Sequence, residues 1–268
     1  MMRNRTEPSD EAFKDLHDAA WKAYVVYCTP SDEVFGLLHA EYDQAIDRIG
    51  TSPEEKPERR PQEKRLAEHL VSLYLRGSLD LDDRNGLLAR FYSKADVKLR
   101  RSVITTIGIS LKIASGPVAP KIVEGLQKLW LRWLGAVLAA GLVPSQAEEI
   151  KDFGWWFGSK KLPDLWSTEQ VFEVLRIAGS IEPDHLVVER LTELAVSMPA
   201  KAVECLAMII EGDKDGWRVL SWRDHARAML AAAIHSADQT ARTKAVELIH
   251  HLGRRGYPEF RDLLPPNL

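Results

Sequence analysis

Apolar residues recur along this chain at the spacing that brings them onto one face of an α-helix. The clearest stripes are Val34, Leu38, Tyr42 and Ala45; Val171, Val174, Leu175 and Ala178; and Ala241, Ala245, Leu248 and Leu252. The strict alternation of apolar and polar residues that marks a half-buried strand is almost absent. The pattern therefore predicts an all-α protein with almost no sheet.

Proline marks the predicted beginnings of many of these helices. The first turn of a helix leaves its N–H groups unbonded, so the missing N–H of proline costs nothing there. Residues in this position are Pro30, Pro117, Pro144, Pro163, Pro183 and Pro199. Two capping boxes, Ser145 with Glu148 and Ser167 with Gln170, favour helix starts near these serines.

The stripes and the prolines together predict twelve helices. Their expected ranges are 10–28, 31–49, 62–77, 81–94, 96–114, 117–140, 145–158, 167–180, 184–197, 199–211, 221–235 and 237–253. Taken in order, the helices form pairs of about 35 to 45 residues joined by short turns, which is the period of HEAT-like repeats. The sequence therefore predicts a HEAT-like α-solenoid of antiparallel helix pairs.

Residues 51–62 interrupt this rhythm, because they are rich in proline and charge and contain no apolar side chain. Such a composition is typical of a linker or a mobile loop. We therefore predict an N-terminal helical hairpin over residues 1–50 and a repeat stack over residues 63–268. At the far end, Tyr257 to Leu264 is expected to form a short capping turn.

The two cysteines predict neither a disulfide framework nor a metal site. Cys28 and Cys205 both lie in apolar helical stretches, where free thiols pack as small hydrophobic side chains. The first ten residues are polar, and no apolar run approaches the length of a membrane span. These features indicate a cytoplasmic protein with no membrane partner.

The formal net charge of −3 hides a strongly basic region. From Arg84 to Arg132 the chain has ten Lys or Arg residues and only two acids. The candidate basic face consists of Arg90, Lys94, Lys98, Arg101, Lys112, Lys121 and Lys128. This face could follow the phosphates of a nucleic acid, or its cations could pair with the acidic surplus elsewhere in the chain or in a neighbouring domain.

Residues 153–158, with the sequence FGWWFG, are unusually aromatic. If exposed, Trp155, Trp156 and Phe157 would form a stacking platform or a protein-binding hot spot. If buried, they would wedge between repeats, with Trp130 and Trp133 of the preceding helix as packing partners. We favour burial, because aromatic side chains supply so much core area. Trp217 and Trp222 are expected to be similar wedges.

No set of catalytic residues emerges from the sequence. The chain contains neither a P-loop nor a dinucleotide-binding fingerprint. His185 and Glu189 share a helix face but lack a third ligand at helical spacing, so we interpret them as a surface pair. The adjacent His250 and His251 point about 100° apart on a helix, so one is expected to pack and one to be exposed. We therefore predict no enzyme activity, cofactor, metal or small-molecule substrate.

Several segments resemble the C-terminal helical region of large bacterial NTPases of the STAND or NACHT type, many of them associated with antiphage defence. The similar segments are AWKAYVVYC (20–28), LAEHLVSLYLRG (66–77), FGWWFGSKK (153–161), EPDHLVVERL (182–191), EGDKDGWRVLSW (211–222) and LIHHLGRRGYPEFRDLL (248–264). In that family an NTPase module precedes the repeats, which are thought to recognise a target or restrain the switch. This chain lacks such a module, so the resemblance implies either a separate sensor or the tail of a longer product.

The expected function is therefore that of a non-catalytic helical-repeat scaffold or sensor that binds a protein partner, with a role in bacterial antiphage defence implied by the resemblance. The alternative is a nucleic-acid-binding α-solenoid that uses the basic face within residues 84–132. The alternative predicts binding that weakens steeply with salt and on charge reversal at Lys98 and Arg101.

Overall fold

The computed structural model describes residues 42–47, 49, 60–77, 86–141 and 147–265. Throughout these ranges the secondary structure is helical and contains no strand, which confirms the all-α class. Several predictions lie outside the described residues. They are the helix at 10–28 and most of the one at 31–49, the linker over 51–59, and the roles of Cys28, Pro30, Arg84, Pro144 and Ser145.

The chain divides into two compact units, residues 1–94 and residues 95–268. This division falls later in the chain than the predicted linker at 51–62. In the first unit, residues 42–47 are helical, α1 spans Arg60–Leu75 and α2 spans Leu87–Lys94. Because α1 already begins at Arg60, the last residues of the predicted linker belong to a helix.

The second unit contains eight α-helices and two 3-10 helices among its described residues. They are α3 (Val97–Ile113), α4 (Pro120–Ala139), a 3-10 helix (Glu148–Asp152), α5 (Phe153–Gly158), α6 (Asp164–Ala178), α7 (Asp184–Leu194), α8 (Pro199–Gly212), α9 (Val219–Ile234), α10 (Gln239–Arg254) and a second 3-10 helix (Pro258–Leu263). The second 3-10 helix confirms the predicted capping turn. The single helix predicted over 145–158 is instead the first 3-10 helix followed by α5.

The helices of the second unit form two rows. In the first row, α3, α5, α7 and α9 pack one against the next in this order. In the second row, α6 packs on α8 and α8 on α10. The rows are joined because α5 packs on α6, α7 on α8 and α9 on α10, so that consecutive helices form packed pairs. Helix α4 contacts α5 and α6 through Trp130, whose Nε1 donates a hydrogen bond to Gln170 Oε1 at 3.2 Å.

The helix starts follow proline and aspartate, largely as the sequence predicts. Pro163 and Pro183 directly precede α6 and α7, and Pro199 is the first residue of α8. Asp96 Oδ1 accepts a hydrogen bond from the backbone N–H of Leu99 and so caps α3, while Asp238 caps α10 in the same way.

The capping box predicted at Ser167 and Gln170 is wrong. Pro163 and Asp164 already begin α6 one turn earlier, and an acid in the first turn stabilises a helix N-terminus. Ser167 is therefore buried inside the helix, and its Oγ donates to the carbonyl of Asp164 at 3.2 Å. Gln170 accepts a hydrogen bond from the Trp130 indole instead of closing a cap.

Helices α3 and α5 cross at very short range because Gly108 lies at their contact. A Cβ on Gly108 would lie 2.8 Å from the carbonyl carbon of Trp155 and 2.9 Å from the backbone nitrogen of Trp156. Both distances are shorter than van der Waals contact, and a backbone cannot move aside as the end of a side chain can. This crossing therefore requires glycine at position 108.

Candidate functional site

The aromatic segment 153–158 is part of the core. Trp156 and Phe157 are buried, while Trp155 is half-buried. The Trp156 ring lies 5.6 Å from that of Trp130 and 6.3 Å from that of Trp133, measured between centroids. The predicted packing partners are thus confirmed, and the alternative of an exposed platform is wrong for Trp156 and Phe157. The Trp156 indole donates to the carbonyl of Ile104 at 2.7 Å, which satisfies its only polar group.

The two tryptophans near the start of α9 behave differently from each other. Trp222 is buried, and its Nε1 donates to Asp184 Oδ2 at 3.3 Å. Trp217 is 74% exposed, so the prediction that it forms a wedge is wrong. Its loop is held in place because Arg255 binds the carbonyl of Asp213 and Tyr257 binds that of Gly216.

Two members of the candidate basic face lie in the first unit, and both have acidic partners there. Arg90 binds Asp43 and Asp47, the second at 2.9 Å from its Nη2. Lys94 Nζ lies 2.7 Å from Asp47 Oδ1. The hydrogen bond from Lys94 lowers the pKa of the Asp47 carboxyl, with help from the charges of both cations.

Arg101 lies at the centre of an ion-pair network in the second unit. Its Nε and one Nη bind both carboxylate oxygens of Asp152 at 2.9 Å, and the same Nη binds Glu182 at 2.9 Å. Asp152 is buried and also accepts a hydrogen bond from Thr105 Oγ1 at 3.1 Å. The hydrogen bond to Asp152 raises the pKa of the Arg101 guanidinium, so this cation is engaged in stabilising the fold.

The four remaining members of the basic face are lysines, and one of them forms an ion pair with a glutamate. Lys128 Nζ lies 3.0 Å from Glu124 on the preceding turn of α4. Lys98, Lys112 and Lys121 are exposed and have no ion-pair partner within the described part of the chain. Internal pairing therefore accounts for Arg90, Lys94, Arg101 and Lys128, which leaves three lysines of this face available to a phosphate backbone.

The histidines that the structure describes do not form a metal site with neighbouring side chains. His185 is exposed, and Glu189 lies 4.0 Å from Lys160 Nζ. Within the described ranges, no group of three or more His, Cys, Asp or Glu side chains is arranged to hold a metal ion. His250 is exposed and His251 half-buried, as the sequence predicts.

The one cysteine in the described ranges is Cys205, which is buried in α8 and free of any disulfide. Burial raises the pKa of its thiol to about 12, so the thiolate that would act as a nucleophile or metal ligand does not form near neutral pH. Cys205 therefore packs as an apolar side chain, which confirms its predicted role.

A groove lies between α6, α8 and α10 of the second row, with a volume of about 510 Å³. Its floor is apolar and combines one or more side chains from each of the three helices. These are Phe172 of α6, Val203, Ala207 and Met208 of α8, and Leu248 of α10. The walls have charged groups and one imidazole, contributed by Glu204, Glu211, Lys244, Glu247, His251 and Arg254.

Helices α8 and α10 run in the same direction along this groove. Near their beginnings, Lys244 of α10 lies 3.1 Å from Glu204 of α8. Near their ends, Arg255 binds the carbonyl of Ile210. The two helices therefore stay side by side over about two turns.

The charges of the groove are balanced toward the beginning of α8. Glu204 lies 3.5 Å from Lys201 and 3.1 Å from Lys244, so its charge is matched twice. Lys201 Nζ also stands 3.4 Å from the centre of the Phe172 ring, a cation–π contact. The cations at this end are thus already engaged.

The opposite end, toward the C-termini of α8 and α10, contains groups without a partner. Glu211, Glu247 and Arg254 form no ion pair with any described residue. The Nε2 atom of His251 is buried and finds no hydrogen-bond partner in the described structure. Buried polar atoms are normally satisfied, so an unpaired ring nitrogen in a groove wall is unusual. We therefore take the groove between α6, α8 and α10 as the candidate functional site.

The sequence did not reveal this groove, although a partial signal exists. Met208 and Leu248 stand near the edge of the apolar stripes of α8 and α10, where a helix passes from core to solvent. The groove arises only because three helices that are distant in sequence place such edges side by side. Residue spacing within one helix contains no information about that alignment.

No family model matches this chain, and neither the curated proteins nor the solved structures include one that is significantly similar to it. In the part of the chain that the structure describes, no helix is both long enough and apolar enough to cross a bilayer.

Proposed function

We propose that this protein is a non-catalytic helical-repeat scaffold that binds a protein partner along the second row of helices. The proposal rests on the groove between α6, α8 and α10, where an apolar floor is flanked at one end by Glu211, Glu247 and Arg254, which form no ion pair with any described residue. Protein-binding sites typically combine a desolvated apolar centre with a polar rim.

The arrangement of the helices supports this proposal. In the second row, α6, α8 and α10 pack one against the next, and all three contribute side chains to one groove. Repeat proteins of the HEAT type use such neighbouring helix faces as extended binding surfaces. We accordingly propose that the two rows are part of a HEAT-like α-solenoid.

A role in bacterial antiphage defence is a further part of the proposal. It rests on the resemblance of six segments to the helical region of STAND and NACHT NTPases. The gene neighbourhood tests it directly. An adjacent nuclease, NTPase or toxin gene would support the role, and a neighbourhood of unrelated housekeeping genes would count against it.

The scaffold hypothesis is tested by capturing partners of the tagged chain from its native host and quantifying them by mass spectrometry. We expect a partner in fixed stoichiometry. The variant Ala207→Trp fills the groove from the half-buried floor of α8 and should lose that partner. The matched variant Ala136→Trp adds the same side chain at an exposed position of α4 and should retain it. Failure to capture a stoichiometric partner in repeated experiments would contradict the hypothesis.

A further inference from the structure

The groove also indicates the chemistry of its occupant. We infer that it binds a linear peptide segment in which an apolar side chain stands beside a lysine or arginine. This inference rests on the proposed function, since it specifies which part of a protein partner enters the site.

The floor of the groove selects an apolar side chain. Phe172, Met208 and Leu248 come from three different helices and line the same depression. Met208 is half-buried, so a large apolar surface at this position stays partly in contact with water. Covering it is favourable by about 25 cal/mol for each Å² of apolar surface removed from water. The thioether of methionine also adapts to side chains of different shape.

The size of the groove favours a peptide over the surface of a folded domain. A volume of about 510 Å³ lies in the range of sites that enclose a ligand of modest size. A convex domain surface would leave much of this volume unfilled, whereas one or two side chains projecting from a peptide would occupy it. Because α8 and α10 run side by side in the same direction, they give such a peptide a track on which to lie.

The charges around the floor select a cation. Glu204 is already matched by Lys201 and Lys244, so it attracts little further charge. Glu211 and Glu247 are exposed carboxylates without an ion-pair partner in the described structure, against the single unpaired cation Arg254 in the groove wall. This end of the groove therefore has a negative surplus, and a basic residue next to the apolar anchor would meet complementary charge.

The experiment uses a displayed library of random linear peptides, selected on the full chain and counter-selected on the Ala207→Trp variant. Peptides that survive both steps depend on an open groove. We expect them to share an apolar residue adjacent to lysine or arginine. A consensus with acidic or uncharged neighbours would overturn the inference, as would a failure to find any peptide that distinguishes the chain from the filled variant.

A variant with reversed charges tests the inference by a change in peptide preference and not only by a loss of binding. Glu211→Lys combined with Glu247→Lys should lower the affinity of the chain for the consensus peptide by about tenfold, as measured by fluorescence anisotropy. Selection on this double variant should enrich aspartate or glutamate beside the same apolar residue. The control Glu169→Lys changes the same charge at an exposed position of α6 outside the groove and should leave affinity unchanged. An unchanged consensus on the double variant would overturn the proposed charge selection.

The outcomes separate this inference from the scaffold hypothesis. If a partner captured from the host is lost with Ala207→Trp but the library shows no basic preference, the scaffold hypothesis stands and the peptide chemistry is wrong. If the library gives the basic consensus but the host gives no partner, the peptide chemistry of the groove stands and the scaffold hypothesis is wrong. Circular dichroism and the thermal unfolding midpoint of each variant confirm that it is folded before either result is interpreted.

Discussion

The crossing of α3 with α5 and the groove beside α8 and α10 both combine apolar side chains with charges. At the crossing the apolar side chains are buried and the charges are paired, whereas in the groove both remain partly exposed. At the crossing, Gly108 brings two backbones together, Trp156 donates its one polar hydrogen to a carbonyl, and Arg101 binds two carboxylates. In the groove, apolar side chains remain in contact with water and Glu211 lacks an ion-pair partner in the described structure. Polar groups thus have partners at the crossing, which stabilises the fold, whereas several in the groove have none among the described residues, and we propose that these meet a binding partner.

The largest effect is expected from adding a methyl group at the crossing. Gly108→Ala would place a Cβ 2.8 Å from the Trp155 backbone, which cannot move as a flexible side chain can. We expect a loss of about 3 kcal/mol in the free energy of unfolding. Chemical denaturation of the full chain measures it.

The matched control is Gly135→Ala in α4, an exposed helical position where a Cβ would meet nothing within 4 Å. This substitution should stabilise the protein by about 0.5 to 1 kcal/mol, because alanine favours a helix more than glycine does. Equal effects of the two substitutions would contradict the account of the crossing.

The second effect in size comes from the ion pairs at the crossing. Asp152→Ala removes the carboxylate that binds Arg101 through two nitrogens and leaves Thr105 Oγ1 without its acceptor. Glu182 still compensates part of the Arg101 charge, and Arg101 is partly exposed to water. We therefore expect a destabilisation of about 2 kcal/mol, measured by denaturant unfolding.

Lys128→Ala is the companion variant for this test, because it breaks an exposed ion pair within α4. The cost should stay below about 0.5 kcal/mol, since exposed pairs gain little from Coulomb attraction in water. If Lys128→Ala destabilised the protein as much as Asp152→Ala does, burial of the ion pair would not explain the difference in stability that we expect between the two sites.

A third test asks whether the groove charges matter to the fold at all. Glu211→Lys with Glu247→Lys should change the free energy of unfolding by less than about 0.5 kcal/mol, because both side chains are exposed and form no ion pair in the described structure. A loss of several times that amount would show that these carboxylates stabilise the fold, and the contrast between the two regions would fail.

The smallest effect is expected at the lysines of the basic face that remain unpaired. If Lys98, Lys112 and Lys121 are the cations that this face offers to DNA, the slope of log affinity against log salt should not exceed about 2.7 in magnitude. Binding should then be weak at physiological salt and be lost when the three lysines are replaced by glutamate. Anisotropy titrations of labelled duplex over a range of salt concentrations measure the slope.

A steeper salt dependence would favour the nucleic-acid alternative. It would require further cations, either ones outside this face such as Arg132 or ones such as Arg101 that leave their internal carboxylates on binding. The control is Lys214→Glu, which reverses one exposed charge in the turn after α8, far in sequence from the basic face. This substitution should leave the slope unchanged.

Much of the helical framework could be predicted from local signals. Pro163, Pro183 and Pro199 correctly locate the starts of three helices. Proline destabilises a helix interior but not its first turn, and this effect does not depend on contacts with other helices. The apolar stripe Ala241 to Leu252 correctly identifies the buried face of α10. Burial of Trp156 against Trp130 also follows from composition, since so large an aromatic surface rarely stays in water.

One wrong prediction has a local cause, because Pro163 and Asp164 begin α6 one turn before Ser167, which therefore lies inside the helix. The others involve contacts between segments that are distant in sequence. Trp217 has the residue type of a core position, but its loop is held by Arg255 and Tyr257 from beyond α10. The groove escapes detection for the same reason, because it exists only where three helices align.

Helix α8 has adjacent positions that differ in whether they are buried in the interior or are partly exposed in the groove. Leu206 and Ile209 are buried, while Ala207 and Met208 between them line the groove. If the groove binds a partner as we propose, substitutions at Ala207 and Met208 would redirect recognition toward a different ligand while the buried interior stays unchanged. A lineage under pressure from a fast-evolving target could diversify at these sites alone, and an engineer could randomise them to obtain new specificities from one unaltered body.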